Sequence, residues 1–172
     1  MEIIINLSYN SNIFLNGGQY MNYNELAKML EALIQDNEYD MTILANSSAL
    51  LYNNLENLNW VGFYINKNET LLLGPFQGKV ACTVIPFSKG VCGKCASTQK
   101  TVVVEDVLSF KGHIACDSAS RSEICVPLIV KDHLYGLLDI DSPITNRFSN
   151  EDKIGLEKIA KIIMAELEKI VD

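Results

Sequence analysis

Hydrophobic residues recur along the chain with a helical spacing at both ends of the sequence. Asn24 precedes one apolar stripe and is expected to cap the first helix, and a second helix is predicted from about residue 41 to 55. Ser149, with an acidic residue three positions later, has the pattern of a capping box and predicts the start of the last helix. A further short helix is expected to begin at Gly90.

Between these helices the apolar spacing is that of β-strands. β-Branched and aromatic residues alternate with others in several short runs bounded by turn residues, as strands do. These runs are residues 58–65, 70–76, 81–85, 101–104, 124–130 and 134–141. Gly74, Pro75 and Gly78 are expected to interrupt the second run. Helices at both ends and strands between them predict an α+β domain with one mostly antiparallel sheet of about six strands and helices packed on it.

Composition and charge narrow the range of partners. The chain has 172 residues, which is the size of one domain, and a formal net charge of −7. It contains no basic run, so we expect neither nucleic acid nor an anionic membrane as a partner. Ile3–Ile5 lie near a start that lacks the positive charge of a signal peptide, which predicts a cytoplasmic protein. We interpret residues 1–20 as an N-terminal extension or leader and residues 21–172 as the domain.

A polar stretch at residues 112–123 is too long and aperiodic to be a core element, and it predicts a functional loop. It places the thiol of Cys116 near His113, Arg121 and Glu123. A positive neighbour favours the reactive thiolate form of a cysteine, so Cys116 is a candidate nucleophile. The alternative is that Cys116 is a small buried residue of an ordinary loop. Arg121 is either a functional residue of this loop or a solvated surface residue.

Two predicted strands carry unusual side chains on one face. Because side chains alternate along a strand, Asp139 and Asp141 share a face, and Trp60, Gly62 and Tyr64 share one too. The glycine between two aromatics is expected to leave room for a ligand. Together the strands predict a pocket with an aromatic wall and an acidic wall. The alternatives are that a helix covers the aromatics and that the two aspartates lie at a solvated sheet edge.

The five cysteines favour redox chemistry or metal binding over structural disulfides, because cytosolic thiols are kept reduced. Cys92 and Cys95 have the CxxC spacing, but no second ligand pair follows, so zinc is only weakly indicated. We interpret Cys82, Cys92, Cys95 and Cys116 as residues that border loops, which suits a nucleophile and its resolving partners. Cys125 is predicted to be a buried core residue. A four-thiol zinc site remains an open alternative.

Several segments, taken in order, resemble the GAF-domain free methionine-(R)-sulfoxide reductases over about residues 26–167. They are residues 60–64, 74–78, 81–82, 90–93, 112–124, 127–128 and 136–142. The resemblance implies a single GAF-like domain that reduces free L-methionine-(R)-sulfoxide to L-methionine. It implies no bound cofactor or metal, thioredoxin as the reductant, and a homodimer. Cys95 and Cys125 depart from the family pattern, which usually has no thiol there, so whether Cys95 joins the disulfide relay stays open.

The same resemblance implies a role for each site residue. Cys116 is expected to be the sulfur nucleophile, Cys82 the resolving thiol and Cys92 a second recycling thiol. Glu123, Asp139 and Asp141 are expected to hold the substrate, and Trp60 and Tyr64 to surround its methyl end. A sulfoxide oxygen leaves only once it is protonated, and three clustered acids disfavour full ionisation, so one of them is expected to supply the proton.

Two other functions are compatible with these residues. The first is a non-catalytic GAF small-molecule sensor, since one fold hosts many functions. The second is a zinc-binding or thiol-redox protein that uses Cys92 and Cys95.

Overall fold

The computed structural model describes residues 22–112 and 117–171 and has two helices at the start, one at the end, and two groups of strands separated by a short helix. The helices of these ranges are α1 (Tyr23–Ile34), α2 (Asp40–Asn54), α3 (Gly90–Thr98) and α4 (Asn150–Leu167). The strands are β1 (Trp60–Lys67), β2 (Thr70–Gly78), β3 (Val84–Pro86), β4 (Val102–Val104), β5 (Ser122–Val130) and β6 (His133–Ser142). The predicted extension at residues 1–20 lies outside the described residues.

The described strands form one sheet in the order β3-β2-β1-β6-β5-β4. Each neighbouring pair is antiparallel. The central strands β1 and β6 are the first and the last strands in the chain, so their pairing joins the two halves of the sheet. This architecture confirms the predicted α+β fold and the six-stranded sheet. None of the helices in the described ranges combines the length and apolarity that crossing a bilayer requires.

The two faces of the sheet bury different layers. Val61 and Phe63 of β1 point into a core shared with α1, α2 and α4. Trp60 and Tyr64 of the same strand point to the opposite face, where they pack with residues of α3 and of β3. The sheet therefore separates a helical core on one side from a second, smaller cluster on the other. The candidate site belongs to the second side.

The helix starts show how local sequence sets the ends of elements. Asn22, not the expected Asn24, caps α1, because its side chain accepts the amides of Asn24 and Glu25. Ser149 caps α4 with the predicted capping box, whose acidic member is Asp152. The same carboxylate accepts the Tyr23 hydroxyl at 2.7 Å and Arg147 Nη1 at 2.9 Å. Burial raises the pKa of Asp152, but hydrogen bonds from Ser149, Tyr23 and Arg147 outweigh it and lower the pKa.

Several strand boundaries and one loop differ from the prediction. β2 continues through Gly74 and Pro75, because these two residues lie together opposite Phe63 in a β-bulge. The ladder between β2 and β3 covers only residues 70–72, so the missing amide of Pro75 breaks no pairing on that side. β3 is correspondingly shorter than predicted. The loop at 106–122 also contains a short 3-10 helix, Val107–Ser109, so it is not wholly irregular.

Candidate active site

Two rows of side chains cross the sheet on the face away from α1, α2 and α4. Directly opposite residues of antiparallel strands share a face. One row runs Glu123, Asp141 and Trp60 across β5, β6 and β1. The next row runs Cys125, Asp139 and Gly62 across the same strands. The register therefore places all three predicted acids beside the predicted aromatic wall.

This face is not a solvated edge. β6 lies between β1 and β5 in the middle of the sheet. Asp139 is 5% exposed and Glu123 is 6% exposed. The alternative that placed the two aspartates at a sheet edge is therefore wrong.

Helix α3 lies over this face and adds a thiol. Cys92 Sγ lies 3.6 Å from Glu123 Oε1 and 3.6 Å from Cys125 Sγ. Cys125 Sγ lies 3.3 Å from Glu123 Oε1 and 3.1 Å from Asp139 Oδ1. Gly93 lets the helix approach closely, because a Cβ there would lie 2.8 Å from the carbonyl oxygens of residues 86 and 87. Cys92 and Cys95 are both buried within α3, the short helix that was predicted to begin at Gly90.

Burial dominates the electrostatics of these groups. It raises the pKa of Glu123 and Asp141 well above the usual carboxyl range, and the charge of Asp139 adds to both shifts. Burial also raises the pKa of Asp139, although hydrogen bonds oppose the shift. Such a cluster cannot be fully ionised without a cation, so at least one carboxyl holds a proton near neutral pH. The acidic wall can therefore act as a proton donor.

The two cysteine thiols in the cluster are also disfavoured as thiolates. The contact with Cys125 lowers the pKa of Cys92, but burial and the neighbouring carboxylates outweigh it and raise the pKa well above its usual value. Burial, first, and the Cys92 contact, second, raise the pKa of Cys125 well above that value too. Both cysteines therefore favour the neutral thiol form.

The aromatic wall is built by stacking. Trp60 stacks on Tyr64 with ring centroids 5.9 Å apart and on Phe76 at 5.3 Å. Trp60 Nε1 donates to the carbonyl of Lys79, and the Tyr64 hydroxyl donates to the carbonyl of Cys82 at 3.0 Å. The segment 79–82 is therefore held against the aromatic wall, on the same face over which α3 packs.

The sequence predicted that Gly62 would leave room for a ligand, but in the structure it does not. A Cβ at this position would lie 2.4 Å from Trp60 Cη2 and 2.4 Å from Phe76 Cβ. The indole of Trp60 folds over the glycine and fills that space. Gly62 is therefore needed to seat the Trp60 ring, and any ligand must contact the ring itself.

The C-terminal part of the loop, from Asp117 to Ser120, is held beside the three acids by hydrogen bonds. Asn59 Nδ2 donates to Asp117 Oδ2 at 3.1 Å and to Ser120 Oγ at 2.9 Å. Lys79 Nζ lies 3.6 Å from Asp117 Oδ1. The Ser120 hydroxyl bonds to Asp141 and lowers the pKa of that carboxyl, against the larger effect of burial. Loop and acidic wall are thus joined by hydrogen bonds.

Arg121 takes the surface role. Its guanidinium pairs with Asp106 at 3.2 Å, and both side chains are partly exposed. Its backbone amide donates to the carbonyl of Ser142, which ties the loop to the end of β6. Arg121 therefore fixes the loop at its base.

The structure brings together six of the predicted site residues on one sheet face. They are Trp60, Tyr64, Cys92, Glu123, Asp139 and Asp141. Cys82 is half-buried next to the aromatic wall and is disulfide-bonded, whereas Cys92, Cys95 and Cys125 are free. Cys116 and His113 lie outside the described residues, so their roles stay predictions.

The sequence reasoning missed three neighbours of the acids. Cys125 was assigned to the core, and it is fully buried, but its sulfur faces Glu123 and Asp139. Cys125 lies two residues after Glu123 in β5 and so shares its face, by the same alternation that placed Asp139 and Asp141 together. Asn59 and Ser120 are the other two, and no spacing in the sequence relates them.

The fold and this face define the class of protein. The chain matches the GAF domain family over residues 26–167. It is 47% identical over 149 residues to the free methionine-R-sulfoxide reductase of Escherichia coli, covering 87% of this chain and 88% of that one. It is 48% identical over 128 residues to the yeast Saccharomyces cerevisiae protein of the same name, covering 70% and 71%. The substrate complex of fRMsr of Staphylococcus aureus matches with 52% identity and a TM-score of 0.83, over 87% of this chain and 97% of that chain.

The chain therefore belongs to the GAF-domain family of free methionine-R-sulfoxide reductases. This membership confirms the family resemblance and the enzyme class, an oxidoreductase acting on a sulfoxide, that the sequence predicted.

Proposed function

We propose that the protein reduces free L-methionine-(R)-sulfoxide to L-methionine, with Cys116 as the nucleophile. The observation that carries the proposal is the row of Glu123 and Asp141 beside Trp60, in a chain that is 47% identical to a reductase of this name. A sulfoxide needs a proton donor at its oxygen and an apolar surface for its methyl group. The acidic and aromatic walls supply both.

The proton is proposed to come from Glu123. Its carboxyl is buried, faces two other acids and carries a raised pKa, so it is neutral when substrate arrives. Asp139 and Asp141 share the remaining negative charge, which suits the substrate ammonium. Trp60, which stacks with Tyr64 and with Phe76, offers a rigid apolar surface to the S-methyl group.

The proposed reaction has two thiol steps. The Cys116 thiolate attacks the sulfoxide sulfur, and the oxygen leaves as water once it is doubly protonated, which gives a Cys116–methionine sulfonium. Water then attacks the Cys116 sulfur, the sulfur–sulfur bond breaks, and methionine leaves with Cys116 as a sulfenic acid. The Cys82 thiol then attacks that sulfenic sulfur, which forms a disulfide and releases water. Support comes from the disulfide-bonded state of Cys82 in a chain whose three other described cysteines are free thiols.

The loop is proposed to hold the substrate carboxylate through backbone amides between residues 115 and 120. Asp117 directly follows Cys116 in the sequence and is anchored by Asn59 at the edge of the acidic wall. This anchor supports a nucleophile that opens onto the same face. We further propose that Cys92, at the base of that face, is a second recycling thiol.

Thioredoxin is the proposed reductant, because its dithiol can exchange with the resulting disulfide and restore both thiols. The proposed assembly is a homodimer in the cytoplasm, where such disulfides are reduced again after each turnover.

The test measures methionine formed from each sulfoxide epimer, free and within a peptide, with thioredoxin and with dithiothreitol. Only the free R epimer is expected to be consumed. Cys116→Ser should abolish turnover, Cys82→Ser should release about one methionine per chain and then stall, and Cys95→Ser serves as the matched control. Sustained turnover by Cys116→Ser would reject the nucleophile. Tight binding of the sulfoxide without any methionine formed by the unaltered chain would favour the sensor alternative.

A further inference from the structure

Cys125 is a buried nucleophilic group for which the proposed reaction has no use. It is fully buried in β5 and contacts three other groups that can ligate a metal. These are Cys92, Glu123 and Asp139. One ligand atom from each of the four residues lies within 4.8 Å of every other, and all four residues are buried.

From this arrangement we propose that the reduced protein binds one Zn²⁺ ion between Cys92, Cys125, Glu123 and Asp139. Zinc is ligated by two sulfurs and two oxygens in this site. The site combines residues from α3, β5 and β6, so it exists only in the folded chain.

The observed separations match a tetrahedral zinc site. With Zn–S bonds of about 2.3 Å and Zn–O bonds of about 2.0 Å, tetrahedral angles place two sulfurs about 3.8 Å apart and a sulfur and an oxygen about 3.5 Å apart. The two sulfurs here are 3.6 Å apart. Three of the four sulfur–oxygen separations are 3.6, 3.3 and 3.1 Å. Side-chain rotations that move the carboxylate oxygens by a few tenths of an ångström therefore complete the tetrahedral geometry.

The donor set selects the metal. Magnesium and calcium prefer oxygen ligands alone, whereas two thiolates favour zinc and its tetrahedral relatives. A divalent cation also offsets the cost of burying two carboxylates side by side. Cys95, the other member of the CxxC pair, is not among the four ligands, so this site differs from the zinc site that the sequence alone allowed.

Bound zinc would inhibit the reductase, a consequence that rests on the proposed function. The metal would occupy the carboxylate of Glu123, which then has no proton to give, and would fix Cys92 as a thiolate ligand. Asp141 is outside the four ligands and stays available. Metal-free protein is therefore the active form and zinc-loaded protein the inactive one.

The binding test uses the full chain, reduced by a phosphine, with all five thiols confirmed by titration. Zn²⁺ is titrated against a chromophoric chelator, and Co²⁺ is added separately as a spectroscopic probe. One equivalent of each should bind, and cobalt should give thiolate charge-transfer bands with the intense visible bands of a tetrahedral site. Cys125→Ala should weaken zinc by more than about tenfold and remove half of the charge-transfer intensity, whereas Cys95→Ala should change neither.

Cys125→Ser and Asp139→Asn keep the test decisive if Cys125→Ala does not fold. Weak, non-stoichiometric binding that none of these variants changes would mean an adventitious ion only and would overturn the site. Inhibition of methionine formation by zinc is measured separately, in parallel with binding. Stoichiometric binding to a chain that has no reductase activity would retain the metal site and reject the proposed function. Inhibition that survives Cys125→Ala would place the inhibitory zinc on other thiols and overturn the inhibitory role.

Discussion

The side-chain amide of Asn59 joins the start of β1 to the loop that follows the proposed nucleophile. It donates to Asp117 at 3.1 Å and to Ser120 at 2.9 Å, and Ser120 in turn bonds to Asp141. Asn59→Ala removes both bonds and leaves Glu123 and its neighbours in place. We therefore predict that this variant folds normally but positions the loop poorly, so that catalysis falls while the acidic wall persists.

The size of the loss follows from the two bonds. A neutral hydrogen bond contributes about 1 kcal/mol, and one to a charged acceptor such as Asp117 contributes about 2 kcal/mol. Water recovers part of this hydrogen-bond free energy when the loop is released, because Asp117 is partly exposed. A net loss of about 2 kcal/mol corresponds to a decrease of roughly 30-fold in kcat/KM.

The matched control is Asn66→Ala, at the other end of β1. Asn66 Nδ2 donates to the carbonyl of Leu134 at 2.9 Å. In both asparagines Oδ1 is buried without a hydrogen-bond partner in the part of the chain that the structure describes. The two variants are compared by methionine formation with dithiothreitol and by urea unfolding. A kcat/KM within twofold of the unaltered chain for Asn59→Ala, or an equal loss for both variants, would refute the role of the loop anchor.

Three further changes test other parts of the structure. Glu123→Gln should slow single-turnover methionine formation by about 100-fold, with the same change at exposed Glu38 as the control, and an unchanged rate would remove Glu123 from the acid role. Gly93→Ala should push α3 from the carbonyls at residues 86 and 87 and lower the free energy of unfolding by about 1–3 kcal/mol, and unaltered stability in urea would contradict the close approach. Asp152→Asn should lower that free energy by about 2 kcal/mol at pH 7. Because the folded pKa of Asp152 is lowered, its stabilisation is present above the unfolded pKa of about 4 and is lost as pH falls through the folded pKa, so the two proteins should converge in acid; a difference that persists in acid would contradict the charged role.

Strand parity was the most informative property of the sequence. The alternation in β6 and β1 correctly placed Asp139 and Asp141 on one face and Trp60 and Tyr64 on one face. The sequence could not show that the two faces are the same one, because that depends on the register between strands about 80 residues apart. The pairing of Trp60 with Asp141 supplies this information.

Side-chain packing explains what the alternation along a strand could not predict. The sequence predicted open space at Gly62, but the Trp60 ring, only two residues away on the same face, folds over it. The prediction that Cys125 is a buried core residue is confirmed. The sequence could not show that its sulfur faces two carboxyl groups, or that α3, about 30 residues earlier in the chain, brings Cys92 against it.

The separation of the two sheet faces has a consequence for misfolding. A slip of β6 by one residue would carry Asp139 and Asp141 into the layer beneath the helices and bring Leu138 and Ile140 out of it. Mispaired chains would therefore bury two carboxyl groups among aliphatic side chains, and they would remove two aliphatic side chains from the same layer. The two aspartates that we assign to the active site thus also specify the register of β6 during folding, because they destabilise strand pairings that hydrophobicity alone would allow.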